Sequence, residues 1–90
     1  MPRAEASYRI AWRPKAREDL RSIIRYIGQD DPAKARDFVR SLHDKTLPLA
    51  RHPKLGRPGR PGLPDSVREL VVHRNYIVFY RVRPDAGVVE

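Results

Sequence analysis

The side chains best able to do chemistry are concentrated in one short stretch: Arg68, His73, Arg74 and Arg81, with Tyr76 and Tyr80 among them. Metal-free cleavage of RNA needs a base to take the proton from a 2′-hydroxyl, a cation to stabilise the crowded phosphate, and an acid for the leaving oxygen. Histidine, arginine and tyrosine can fill those roles, so Arg68, His73, Arg74 and Arg81 are the candidate catalytic set if the chain is a nuclease. A plainer reading competes. Tyrosines on a central strand usually belong to a core, and arginines at strand edges usually reach solvent.

Two further groups of cations suit binding. Arg13, Arg17, Arg21 and Arg25 recur every fourth residue, which lines them up along one side of a helix; the alternative is a solvated face balanced by Glu18 and Asp19. Arg57 and Arg60 sit in Gly56-Arg57-Pro58-Gly59-Arg60-Pro61-Gly62. That run lacks the Lys-Ser/Thr pair of a phosphate-cradling loop and leads into no helix, so its arginines offer point contacts to phosphate oxygens at most. His43, His52 and His73 have no metal-ligand spacing, and there is no cysteine to join them. Neither a metal nor a cofactor is expected, and the absence of a Gly-x-Ser-x-Gly elbow argues against a serine hydrolase.

The elements that must position these residues can be read from periodicity. Ser7 to Trp12 alternates polar and apolar residues as a half-buried strand does. Ala16, Leu20, Ile23, Ile24 and Ile27 recur at helical spacing over 15–28, with Gly28 as a natural stop. Asp31-Pro32 reads as the cap and first residue of a second helix over 32–47, with Ala35, Phe38, Val39 and Leu42 on its buried stripe and an end or kink near Thr46 ahead of Pro48. So short a connection makes the two helices an antiparallel hairpin. The Pro/Gly-rich stretch 52–66 reads as a loop carrying neither helix nor ladder. Val67–Val72 and Tyr76–Val82 read as a β-hairpin, the second strand apolar on both faces and therefore central. A turn at 84–87 then leads into Val88-Val89-Glu90. The expected buried set is Leu20, Ile24, Ile27, Phe38, Leu42, Val78 and Tyr80.

Ninety residues suffice for a single domain over 1–90 with one core. An apolar fraction of 40% separates the chain from disordered sequences, and no apolar run reaches signal-peptide or membrane-span length. A soluble protein of the cytoplasm, with no membrane partner, is expected. Nineteen Lys and Arg against 11 Asp and Glu leave a net charge of +8, which calls for an anionic partner: nucleic acid, a ribonucleoprotein surface or an acidic protein.

In this order of elements, Asp19-Leu20 through Tyr26-Ile27, Asp31-Pro32-Ala33, His52-Pro53-Lys54-Leu55-Gly56-Arg57 and above all the run from Arg68 to Val82 resemble the RelE/ParE toxin superfamily over nearly the whole chain. The resemblance implies an α+β fold, with an N-terminal strand, an antiparallel helical hairpin and then an antiparallel β-sheet. It also implies a toxin neutralised by a cognate acidic antitoxin encoded by an adjacent gene, reaching operator DNA only through that antitoxin. Within the superfamily, ParE-like members poison DNA gyrase and RelE-like members cut mRNA on the ribosome. RelE-like nucleases carry an arginine directly after the tyrosine that opens the central strand, where this chain has Ile77, and they keep further catalytic residues in a last strand that continues past the position of Glu90. Both departures weaken the nuclease reading without establishing the gyrase one, and the first expectation is a ParE-like toxin. The alternatives are a ribosome-dependent mRNA endonuclease and an inactive remnant that only binds antitoxin.

The antitoxin is expected to order on binding, lying across the helical hairpin or beside a sheet edge left open where the last strand stops at Glu90. Arg13, Arg17, Arg21, Arg25, Arg57 and Arg60 are the candidate antitoxin- or target-binding residues. If the helix row contributes, reversing the charge of Arg17 and Arg21 together weakens the complex and flattens its salt dependence. An unchanged dissociation constant at low salt removes the row from the interface.

Overall fold

The computed structural model describes residues 7–90; Met1–Glu5, in which no leader was expected, lie outside them. The chain runs β1 (Arg9–Ile10), α1 (Pro14–Asp30), α2 (Pro32–Thr46), a single 3₁₀ turn (Leu47–Ala50), β2 (Arg57–Pro58), β3 (Val67–His73), β4 (Tyr76–Arg83) and β5 (Val88–Val89). The sheet has the order β1-β5-β4-β3-β2. This is the α+β arrangement expected, with differences that follow from local physics.

The first strand is shorter than 7–12 and pairs parallel with β5, Arg9 opposite Val88 and Ile10 opposite Val89, so the sheet is mostly rather than wholly antiparallel. The outer edge of the last strand is thereby covered. α1 does not stop at Gly28 but continues to Asp30. It ends because Asp31 precedes proline, whose ring bars the helical conformation to its neighbour, and Asp31 is extended at φ −154°. The same residue starts α2, its Oδ1 accepting from the N–H groups of Ala33 at 3.0 Å and Lys34 at 3.2 Å. α2 ends at Thr46, as Pro48 requires, and the chain tightens into the 3₁₀ turn.

Two short ties hold the helical layer on the sheet. Phe38 is buried edge-on against Tyr76 and His73, at centroid distances of 5.0 and 5.7 Å. Ser41 Oγ donates to the Val72 carbonyl at 2.7 Å. Of the expected core, Phe38, Leu42 and Tyr80 are buried, whereas Leu20, Ile24, Ile27 and Val78 are only partly covered and Val39 is exposed. The most enclosed side chains are Leu49, Val72 and Val89. α1 has no buried residue at all. It packs on α2, while the contacts of the helical layer with the sheet run mainly through α2 and β3. Periodicity identified the apolar stripe of α1 but not how little of the sheet would reach it.

β4 is central in the strand order, yet only one of its faces is covered. Tyr76, Val78, Tyr80 and Val82 turn toward the helices, and Phe79 on the opposite face is 48% exposed. The 52–66 loop does contribute to the sheet: Arg57 pairs with Glu69 and Pro58 with Arg68 as the edge strand β2, a position proline tolerates because its missing N–H faces outward. Tyr80 fixes the start of this segment. Its hydroxyl accepts from the Gly56 N–H at 2.9 Å and donates to the Pro53 carbonyl at 2.7 Å.

A Cβ at Gly56 would stand 2.3 Å from the Glu69 carbonyl oxygen and 2.9 Å from the tyrosine hydroxyl. Tyr80→Phe should therefore cost about 1–3 kcal/mol by leaving the Gly56 N–H unsatisfied, and Gly56→Ala should cost more because the rigid backbone must move. Urea titrations check both. A wild-type midpoint for Tyr80→Phe would mean that the loop is held elsewhere.

Candidate functional site

The candidate catalytic residues do not converge. Arg68 shares the helix-side face with Tyr80, its partner across the ladder, and its guanidinium donates to the backbone carbonyls of Gly56 at 3.0 Å and Lys54 at 3.4 Å. His73 is on the same side, wedged against Phe38 and 6.1 Å from the Tyr76 ring, and its Nδ1 is buried with no hydrogen-bond partner among the described residues. Arg74 lies exposed in the two-residue turn of the hairpin. Arg81 belongs to the opposite face, where its guanidinium is bonded to the Glu90 carboxylate. Two of the four are thus structural fasteners on one face, and the others are apart from them.

Arg57 and Arg60 also have structural duties. Glu69 is 3% exposed in the middle of β3. Its Oε1 accepts from Arg57 Nε at 3.1 Å and Nη2 at 3.0 Å, and its Oε2 accepts from Arg60 N at 2.8 Å and Nε at 2.9 Å. The Arg60 guanidinium also stands 5.3 Å from the centroid of the Phe79 ring. The hydrogen bond from the Arg60 side chain, reinforced by those from Arg57 and the Arg60 amide and opposed by desolvation, lowers the Glu69 pKa to about 2. The cations expected to reach outward are turned inward onto this carboxylate. Its signal in the sequence was a lone acid in the apolar strand Val67-Arg68-Glu69-Leu70-Val71-Val72, downstream of two loop arginines.

Glu90 forms a second acid-centred cluster that sequence reasoning missed. Its carboxylate is bonded to Arg81 and approached by Arg83 at 3.5 Å and Arg13 at 3.6 Å. The Arg81 hydrogen bond, helped by the charges of Arg13 and Arg83, lowers its pKa. Three guanidiniums share this carboxylate, and Arg83 also pairs with Asp85 at 3.7 Å. In the α1 row only Arg13 is engaged in this way; Arg17, Arg21 and Arg25 are exposed and have no ion pair with any described residue. Glu18 and Asp19 pair with Lys15 instead, so they do not balance the row.

Between α1 and β4 lies an apolar groove of about 380 Å³, lined by Ala16, Leu20 and Ile23 on the helix and by Val78 and Phe79 on the strand. Among the described residues no group of three His, Asp or Glu could hold a metal ion. No helix there is long and apolar enough to cross a membrane.

A helical hairpin on a mostly antiparallel sheet, with a row of exposed arginines on α1, defines a small basic α+β protein. A family model described as the ParE toxin of the type II toxin–antitoxin system, parDE, matches residues 10–89. Toxin RelE3 of Caulobacter vibrioides is 33% identical over 79 residues, spanning 84% of this chain and 82% of that protein. The chain belongs to the RelE/ParE superfamily and is the toxin of a type II toxin–antitoxin system, which has a cognate antitoxin as its partner.

The clamp on Glu69 has a pH signature. Because its folded-state pKa is below the ordinary 4.5, the clamp stabilises the fold above about pH 4.5, and this contribution is lost as pH falls from there toward about 2. Glu69→Gln should be less stable than the parent at neutral pH and should lose less stability than the parent through that window. Thermal midpoints recorded from neutral pH downward check it; parallel curves would show that the carboxylate is not held as described.

Proposed function

We propose that this toxin acts in the cytoplasm as a ParE-like inhibitor of DNA gyrase, by binding and without chemistry of its own, and that its antitoxin is acidic. The observation that carries the reading is the dispersal of Arg68, His73, Arg74 and Arg81. Cleavage of a phosphodiester needs its groups held together within hydrogen-bond reach of one phosphate, but Arg68 is bonded to backbone carbonyls, His73 is packed on Phe38 and Arg81 is neutralised by Glu90. On the outer sheet face Arg57 and Arg60 are paired with Glu69, so an incoming phosphate would have to displace its carboxylate to reach them. Ile77 in place of the arginine of RelE-like nucleases adds to the case.

Inhibition by binding needs only a surface. The exposed guanidiniums of Arg17, Arg21 and Arg25 supply one, and the half-exposed Val71 and Phe79 on the bare sheet face supply another.

Purified toxin should trap gyrase–DNA complexes and leave ribosome-bound mRNA uncut. If mRNA is instead cut only when ribosomes are present, and Arg68→Ala, His73→Ala or Arg81→Ala abolishes the cutting while the fold survives, the toxin is RelE-like and the proposal fails.

A further inference from the structure

Nothing in the fold explains the regular spacing of Arg17, Arg21 and Arg25. They lie in the interior of α1, where four residues correspond to about 6 Å of helical rise and the three together span about 12 Å. Like charges four residues apart repel and weaken a helix, yet all three guanidiniums are exposed and make no ion pair with any described residue. Glu18 and Asp19, the acids nearest to them in sequence, are engaged by Lys15 at 3.7 and 2.9 Å. None of the three lines the groove between α1 and β4, so their exposure does not depend on that edge. On the neighbouring helix Arg36 and Arg40 repeat the spacing, exposed, outside the buried stripe of α2 and likewise without an ion pair among the described residues.

We propose that the helical hairpin binds the phosphate backbone of duplex DNA without regard to sequence, Arg17, Arg21 and Arg25 following one strand and Arg36 and Arg40 adding contacts beside them. A fixed line of cations matches a polyanion whose charges are also regular. One strand of a duplex carries a phosphate about every 3.4 Å along its axis, so a row of about 12 Å covers three or four of them. Arginine donates to phosphate oxygens in a fork and reads no base at this distance from the grooves. A single strand is held largely by stacking on rings, and the row contains none: Tyr26, although 70% exposed, stands about 100° around the helix from Arg25. Duplex RNA is gripped through its 2′-hydroxyls as well as its phosphates, and the row offers no neutral polar side chain for them. The net charge of +8 draws the protein to such a polyanion from a distance. The toxin then has a DNA contact of its own, where the resemblance implied contact only through the antitoxin.

The inference does not depend on gyrase being the target, and its test needs only toxin and DNA. Fluorescence anisotropy of purified toxin, free of antitoxin, is recorded over a salt series against a labelled duplex of mixed sequence and about 25 base pairs. The dissociation constant should rise linearly with salt on logarithmic axes. Replacing Arg17, Arg21 and Arg25 together by Ala should lower that slope by about 2–3, because about one counterion is released per phosphate neutralised. Alanine favours helix at these exposed positions, so the far-ultraviolet spectrum should be unchanged. A control variant with Lys34, Lys45 and Lys54, all exposed, replaced by Ala loses the same charge and should change the slope by less than about 1. Equal losses in the two variants would mean that net charge alone acts, and would overturn the proposal. Absence of binding at low salt, or tighter binding to a single strand or to duplex RNA of the same sequence, would overturn it too. A row variant that binds duplex DNA as the parent does but no longer retains co-expressed antitoxin would assign the row to the protein partner, with the same result.

Discussion

A carboxylate almost wholly removed from water stays ionised only if hydrogen bonds replace its hydration, and Glu69 receives them from both sides. This constraint organises the surrounding structure. The acid sits on β3, its partners sit in the Pro/Gly-rich segment, and satisfying it draws a stretch that could form neither helix nor long strand into place as β2. Tyr80 ties down the front of the same segment through Gly56 and Pro53. Arg68 closes it from the helix side through the Gly56 and Lys54 carbonyls. With little regular structure of its own, the segment is held by these ties.

The clamp also determines how the positive charge is distributed. Arg57 and Arg60 are committed to Glu69, Arg81 and Arg83 to Glu90, and Arg68 to backbone oxygens. Arg17, Arg21 and Arg25 on α1 are exposed and have no ion pair among the described residues, so part of the uncompensated positive charge lies along a helix. The committed side chains hold the sheet and its edge segment together.

The two helices contribute unequally to the core. α2 is fastened to β3 by Phe38 and Ser41, while α1 rests on α2 with its apolar stripe only partly covered and the groove alongside. Leu20, Ile23, Ile24 and Ile27 are too apolar for a face meant to remain in water.

The sequence by itself determined the two helices and the β3–β4 hairpin, because helical spacing, the Asp31-Pro32 boundary, Pro48 and the alternation of β3 and β4 are local effects, while β2 escaped it. The order of those elements, with the residues around Arg68–Val82, also sufficed to point to the superfamily. Only the tertiary structure decided which arginines are available, since a guanidinium on a loop and one on a strand look alike until the acid each one reaches is known. Glu69 lies nine residues beyond Arg60 and Glu90 nine beyond Arg81, and no periodicity links such pairs. It decided as well that β1 would cover β5 in parallel and that α1 would stand off from the sheet, because strand order and layer contact arise from how distant segments pack, and local pattern does not encode them.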